Sequence, residues 1–178
     1  MSDEVDYNDP DHCTVGVIGE VGHRLFLFYV RQGLNETTVK VEKQQIAVLA
    51  SYLGRIIKEL GRPGHLPDDL SFDGTEDPEW VVGTIGVSYD EELDRVVVVL
   101  EEVHEEDLDE LSDQDAEAED ENAHVLRIAL TREQAAAFAI HATRLVEAGR
   151  PPCPLCGLPL DPSGHDCPRT NGHRPPVT

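Results

Sequence analysis

Residues 40–50, KVEKQQIAVLA, and residues 128–139, IALTREQAAAFA, carry the reading of the fold. Each begins in β-favouring residues and then changes period within a few positions. In both, a glutamine stands in the first turn of what reads as a helix: Gln45 in one, Gln134 in the other. After the first, Ile46, Leu49, Leu53, Ile56, Ile57 and Leu60 recur at helical spacing and form one apolar stripe. Gly61, Pro63 and Gly64 stop that helix. After the second, Phe138, Ala142, Leu145 and Val146 make the stripe, and Gly149 before Pro151 gives the stop. Thr131, with Gln134 three residues on, has the pattern of a capping box.

Working outward, the same order of elements precedes each helix. TVGVIG (14–19) and HRLFLFYV (23–30) are β-rich runs joined by Glu20-Val21-Gly22, and TTVKVE (37–42) alternates as a third strand. WVVGTIGVSY (80–89) and DRVVVVLEEV (94–103) flank a turn at Asp90, Glu91 and Glu92, and HVLRIAL (124–130) is again the third strand. VGVIG also resembles VGTIG. We therefore expect an internal duplication of a strand–strand–strand–helix unit, with copies at about 14–61 and 80–149. One three-stranded sheet with one helix leaves apolar surface uncovered. Two copies would form an α+β domain over 14–149, with one mostly antiparallel sheet of about six strands and both helices on one face. Gly16, Gly19, Gly83 and Gly86 are in strands rather than between a strand and a helix, so they read as bends or close backbone approaches, not as a phosphate loop.

The chain has 178 residues and a net charge of -22. The charge is uneven. No Lys or Arg occurs between Arg95 and Arg127, and residues 101–122 hold thirteen carboxylates. The part at 104–123 has too few aromatic and β-branched residues to offset the entropy of ordering, and is expected to be a disordered insertion in the second copy. Residues 1–13 read as a flexible acidic N-terminus without the features of a signal peptide. With no apolar run long enough to span a bilayer, the expectation is a cytoplasmic chain with no membrane contact. Its acidity disfavours nucleic acid, whose phosphates are bound by Lys and Arg. A protein partner, basic enough to meet the acidic run, is the expectation instead.

Residues 150–178 form a Cys/His-rich tail. Cys153-Pro-Leu-Cys156 is a C-x₂-C knuckle, followed by His165-Asp-Cys167. Cys153, Cys156, His165 and Cys167 offer soft sulfur and imidazole within fifteen residues, a donor set that favours Zn²⁺. His173 competes with His165 for the fourth position. Four protein ligands leave no open position, so the zinc is expected to be structural, holding together a tail too small for its own core. A thioredoxin-like redox pair would stand at a helix start after a strand, and this one does not. Arg150, Arg169, Arg174 and His173 make the tail mildly basic.

EKQQIAVLA, VGTIG and EAGRPPCPLCGLPLDPSGHDCPRTNG together resemble an uncharacterised actinobacterial family, domain of unknown function 3090. The resemblance runs from about residue 14 to 173 and is most specific in the tail. It implies metal ligands at Cys153, Cys156, His165 and Cys167, and implies no catalytic residues. DYNDPDHCTVG stands where the resemblance implies a first strand with an aromatic residue.

Other residues have ordinary readings. Cys13 is a small half-buried residue with no base beside it. His141 is a packed histidine on the second helix. His12, His23, His65, His104 and His124 show no ligand spacing. Glu76, Asp77 and Glu79 near Trp80 read as a solvated loop. The leading function is thus a non-enzymatic binding or adaptor protein with a zinc-stabilised tail. The alternative is an enzyme or an anion or small-ligand binder. Its site would lie between the two helix N-termini, lined by Glu42, Lys43, Gln45, Arg132 and Gln134. A nucleic-acid-binding zinc module ranks third, against the net charge.

Overall fold

The computed structural model describes residues 4–20, 23–103, 123–148, 153–158, 160 and 167–169. Seven strands and two helices follow in order: β1 (Glu4–Tyr7), β2 (His12–Ile18), β3 (Leu25–Gln32), β4 (Asn35–Val41), α1 (Lys43–Leu60), β5 (Val82–Asp90), β6 (Arg95–Glu102), β7 (Val125–Leu130) and α2 (Arg132–Glu147). The fold is mixed α+β, and the order strand–strand–strand–helix occurs twice.

The strands form two sheets rather than the expected one. One is four-stranded with order β1-β7-β6-β5, and the other is three-stranded with order β2-β3-β4. Within each half the neighbours are antiparallel hairpin partners. Among the described residues the sheets come together at one parallel bridge, Lys40 to Val81. Beyond it β5 turns away from β4 at Gly83, where the β5–β6 register shifts between Val82 and Thr84. A Cβ on Gly83 would stand 2.7 Å from the Val103 backbone, so only glycine allows this close crossing. Beyond the bridge β4 and β5 are not paired, so a continuous six-stranded sheet does not form.

The N-terminus also differs from expectation. Glu4–Tyr7 is a strand paired in parallel with β7, and β2 starts at His12, inside the segment expected to be flexible. Tyr7 anchors it: the ring is buried, and its hydroxyl meets Thr37 Oγ1 at 3.0 Å, joining the β1 end of one sheet to β4 of the other. A buried hydroxyl left unpaired would cost about 1–3 kcal/mol, so the pairing fixes this strand's position. The expected acidic insertion at 104–123 lies, but for Ala123, outside the described residues.

The helices pack on one another and on both sheets, and all share one core. Arg132, at the start of α2, donates to the carbonyl of Leu60 at the end of α1. The two helices are therefore antiparallel. α2 lies on the sheet of the first half: Phe138 is 5.2 Å from Phe28, and His141 Nε2 is 3.1 Å from the Val15 carbonyl. Thr131 caps α2, its Oγ1 accepting from the Gln134 N–H at 3.1 Å, while Gln134 Oε1 accepts from the Thr131 N–H at 2.9 Å. Both orphan donors of this capping box are thus satisfied. Removing the cap in Thr131→Ala is expected to lower stability by about 1 kcal/mol. Urea unfolding checks this, read against a Thr131→Ser variant that keeps the oxygen.

Candidate metal centre

The chain turns sharply at Pro154-Leu155-Cys156. The Gly157 N–H donates to the Cys153 carbonyl at 2.8 Å, and the Cys153 N–H donates to the Leu158 carbonyl at 2.7 Å. Gly157 closes the turn at φ 74, a left-handed conformation that a Cβ disfavours. This loop aims its amides at sulfur. The N–H groups of Cys156 and Leu155 point at the Cys153 thiol, and that of Leu158 at the Cys156 thiol. Burial pushes the Cys153 thiol up, but the amides of Cys156 and Leu155, together with hydrogen bonds from the Cys156 and Cys167 thiols, hold Cys153 below the ordinary thiol range. Cys156 is pushed up by burial, with the neighbouring thiols adding to the effect.

Cys167 returns to this loop. Its Sγ is 4.0 Å from Cys153 Sγ, and the three sulfurs of Cys153, Cys156 and Cys167 all lie within 4.8 Å of one another. The distances discriminate between chemistries. A disulfide needs sulfurs about 2.05 Å apart. Two sulfurs on one tetrahedral zinc, each about 2.3 Å from it, stand about 3.8 Å apart. The observed spacing fits a shared metal, and none of these cysteines is in a disulfide. Cys153 and Cys167 are buried while Cys156 is partly exposed. His165 and the competing His173 lie outside the described residues.

The chain matches, over residues 5–167, the family described as "Protein of unknown function (DUF3090)". It belongs to that family. The match ends on Cys167, so all three converging thiols fall inside it. No curated protein and no solved structure gives a significant match to the chain.

The other candidate ligand site of this DUF3090 chain is not assembled. α1 has 18 residues, so its two ends are about 27 Å apart. Because the helices are antiparallel, Lys43 and Gln45 lie at one end of the pair, and Arg132 and Gln134 at the other. Three of these four side chains already have protein partners. Gln45 Oε1 accepts from the Glu42 N–H at 2.8 Å, and its Nε2 donates to the carbonyls of Val82 and Gly83 at 3.1 and 3.0 Å. Gln134 Nε2 donates to the Pro10 carbonyl at 2.7 Å. Arg132 reaches Asp94, Leu60 and Tyr89, the closest contact being 2.7 Å from Nε to Asp94 Oδ1. Sequence spacing places Gln45 and Gln134 alike in their helices, but it does not show that each reaches across to the opposite half. Gln134→Ala strands the Pro10 carbonyl and the Thr131 N–H. It is expected to lower stability by about 1–2 kcal/mol with no change in metal content, as thermal unfolding and elemental analysis would show.

One arrangement was not legible in the sequence. His124 Nδ1 is 2.7 Å from Glu102 Oε2, and the His124 ring stacks on Trp80 with centroids 6.2 Å apart. These two residues bracket the acidic run, and the Glu102 N–H donates to the His124 carbonyl, closing its base. Their positions, 22 residues apart, show no ligand spacing. The signal was their place at the facing ends of β6 and β7. Cys13 is fully buried rather than half-buried, and Glu79, expected in a solvated loop, bonds to β4. Burial pushes the Cys13 thiol far up, which makes it a poor nucleophile. Glu79 Oε1 accepts from the Thr38 N–H at 3.3 Å.

Proposed function

We propose that this chain is a zinc-binding adaptor rather than an enzyme. Its tail carries a structural Zn²⁺ on Cys153, Cys156, Cys167 and His165. The observation that carries the reading is the convergence of three thiols at metal-sharing distance on an amide-lined turn. His165 is preferred to His173 as fourth ligand because it lies two residues from Cys167 and inside the family match, which His173 does not. Four protein ligands close the coordination sphere, so the ion shapes the tail and offers no position to substrate. The acidic run at 104–123 then acts as an electrostatic lure for a basic protein partner, with an attraction that weakens as salt rises.

Elemental analysis of protein purified without added metal tests the site. About one zinc per chain is expected, and loss of it in Cys156→Ser. No metal, with Cys153 and Cys156 forming a reversible disulfide, would sink the zinc reading and make the pair a redox switch.

A further inference from the structure

We propose, on the adaptor reading above, that the basic partner docks as an added strand on the free edge of β5, over Thr84–Ser88. The segment it offers is extended, has apolar side chains at alternate positions and carries Lys or Arg at both ends. The sheet edges point to β5. A free edge is a row of unpaired backbone groups that invites pairing, and proteins cover or charge the edges they do not use. β1 is four residues long and exposes Glu4 and Asp6. The edge of β2 is covered: His12 Nε2 is 2.7 Å from the Ser71 carbonyl, and Thr14 Oγ1 donates to the Leu70 carbonyl at 2.8 Å. The edge of β4 is met by residues 79–81. β5 alone, among the described residues, is neither charged nor covered over Thr84–Ser88, past the two carbonyls that Gln45 takes.

An open groove of about 640 Å³ runs between α1 and β5, lined by Glu42, Gln45, Val48, Tyr52, Ile85 and Val87 among others. Ile85 and Val87 are half-buried, while Thr84, Gly86 and Ser88 are exposed, so one face of β5 turns to the groove. On α1, Val48 is 62% exposed and Tyr52 39%. A strand entering here pairs its backbone with β5 and sets every second side chain among these four apolar residues. The main-chain bonds supply affinity, and the groove selects the side chains.

Charge decides what the segment is. Thr84–Ser88 holds no charged residue, but both ends of it are acidic. Glu42 marks the near end: its N–H donates to Gln45, whose Nε2 holds the Val82 and Gly83 carbonyls. Asp90, Glu91 and Glu92 mark the far end. Glu42 is the only charged residue of the described lining; Lys43 and Arg55 stand on α1 outside it, with Arg55 over the Tyr52 ring at 4.7 Å. A segment with a cation at each end meets a carboxylate at each end. A second copy of β5 does not. Two-fold pairing runs antiparallel and sets Asp90–Glu92 of each copy against Glu42 of the other, like charge on like at both ends.

Selection from a displayed library of random linear peptides, on the full chain, tests this. Enriched peptides are expected to alternate β-favouring apolar residues between flanking Lys or Arg. The tightest, made synthetically, is expected to protect the amides of Thr84–Ser88 from hydrogen exchange. Its affinity is expected to fall roughly tenfold or more in Val48→Glu, and likewise in Glu91→Lys/Glu92→Lys, with thermal stability unchanged. Enriched peptides without cations, or binding that persists in both variants, would overturn the proposal. If that persisting binding is lost when 104–123 are replaced by Gly and Ser, the adaptor reading stands with the acidic run as its contact. Enrichment of no peptide would overturn this docking mode and leave the adaptor reading to a folded partner surface. Protection of Thr84–Ser88 that grows with protein concentration alongside a doubled mass would overturn it in favour of a second copy.

Discussion

Phe138→Ala is expected to lower the unfolding free energy by about 3–5 kcal/mol, a large share of what a domain of this size has. The ring is fully buried in α2, 5.2 Å from Phe28 on β3. It joins the helix of the second half to the sheet of the first. Truncation removes apolar burial and leaves a cavity walled by Phe28 and its neighbours, which rigid strands cannot close. Urea unfolding followed by far-ultraviolet circular dichroism gives the number. Ile140→Ala on the same helix, where Ile140 is half-exposed, is expected to cost about 0.5 kcal/mol or less. Equal effects at the two positions would contradict the packing of α2 across the halves.

Cys153→Ser is expected to abolish metal retention and to expose the tail while sparing the body. Cys153 is the most constrained of the three thiols: buried, met by two backbone amides, and 4.0 Å from Cys167. A serine oxygen is a poor ligand for zinc beside soft sulfur. A short Pro-rich segment without its metal has little else to order it. Limited proteolysis would read this as rapid cleavage after residue 148 in the variant and in chelator-treated wild-type protein. A fragment of the body with a cooperative unfolding transition should persist in both. Equal resistance of variant and wild type would show that the tail holds together without a metal.

The local layers of this fold were readable in the residues, and the long-range ones were not. The stripe from Ile46 to Leu60 and the Thr131–Gln134 capping box depend on neighbours within one or two turns, and both occur as read. So do the hairpins of each half. β1 was missed because Glu4-Val5-Asp6-Tyr7 is acidic and mostly exposed. Its pairing with Val125–Ile128 lies more than a hundred residues away, and only Tyr7 is buried. The single sheet failed at Gly83: a glycine in a strand reads as a close approach, but nothing local names Val103 as what it approaches. The cluster of three thiols was legible because knuckle spacing brings Cys153 and Cys156 together whatever the rest does, and Cys167 stands beside them. The ligand site between the helix starts was not assembled, because spacing within a helix says nothing about the direction of its neighbour. Arg132 ended beside Leu60 rather than Lys43.

The most direct test of the metal centre is X-ray absorption at the zinc edge on protein purified without added metal. The expected first shell is three sulfurs at about 2.3 Å and one nitrogen at about 2.0–2.1 Å, with the nitrogen lost in His165→Ala and kept in His173→Ala. A shell of oxygen ligands, or no zinc signal in protein whose Cys153 and Cys156 are oxidised to a disulfide, would contradict it.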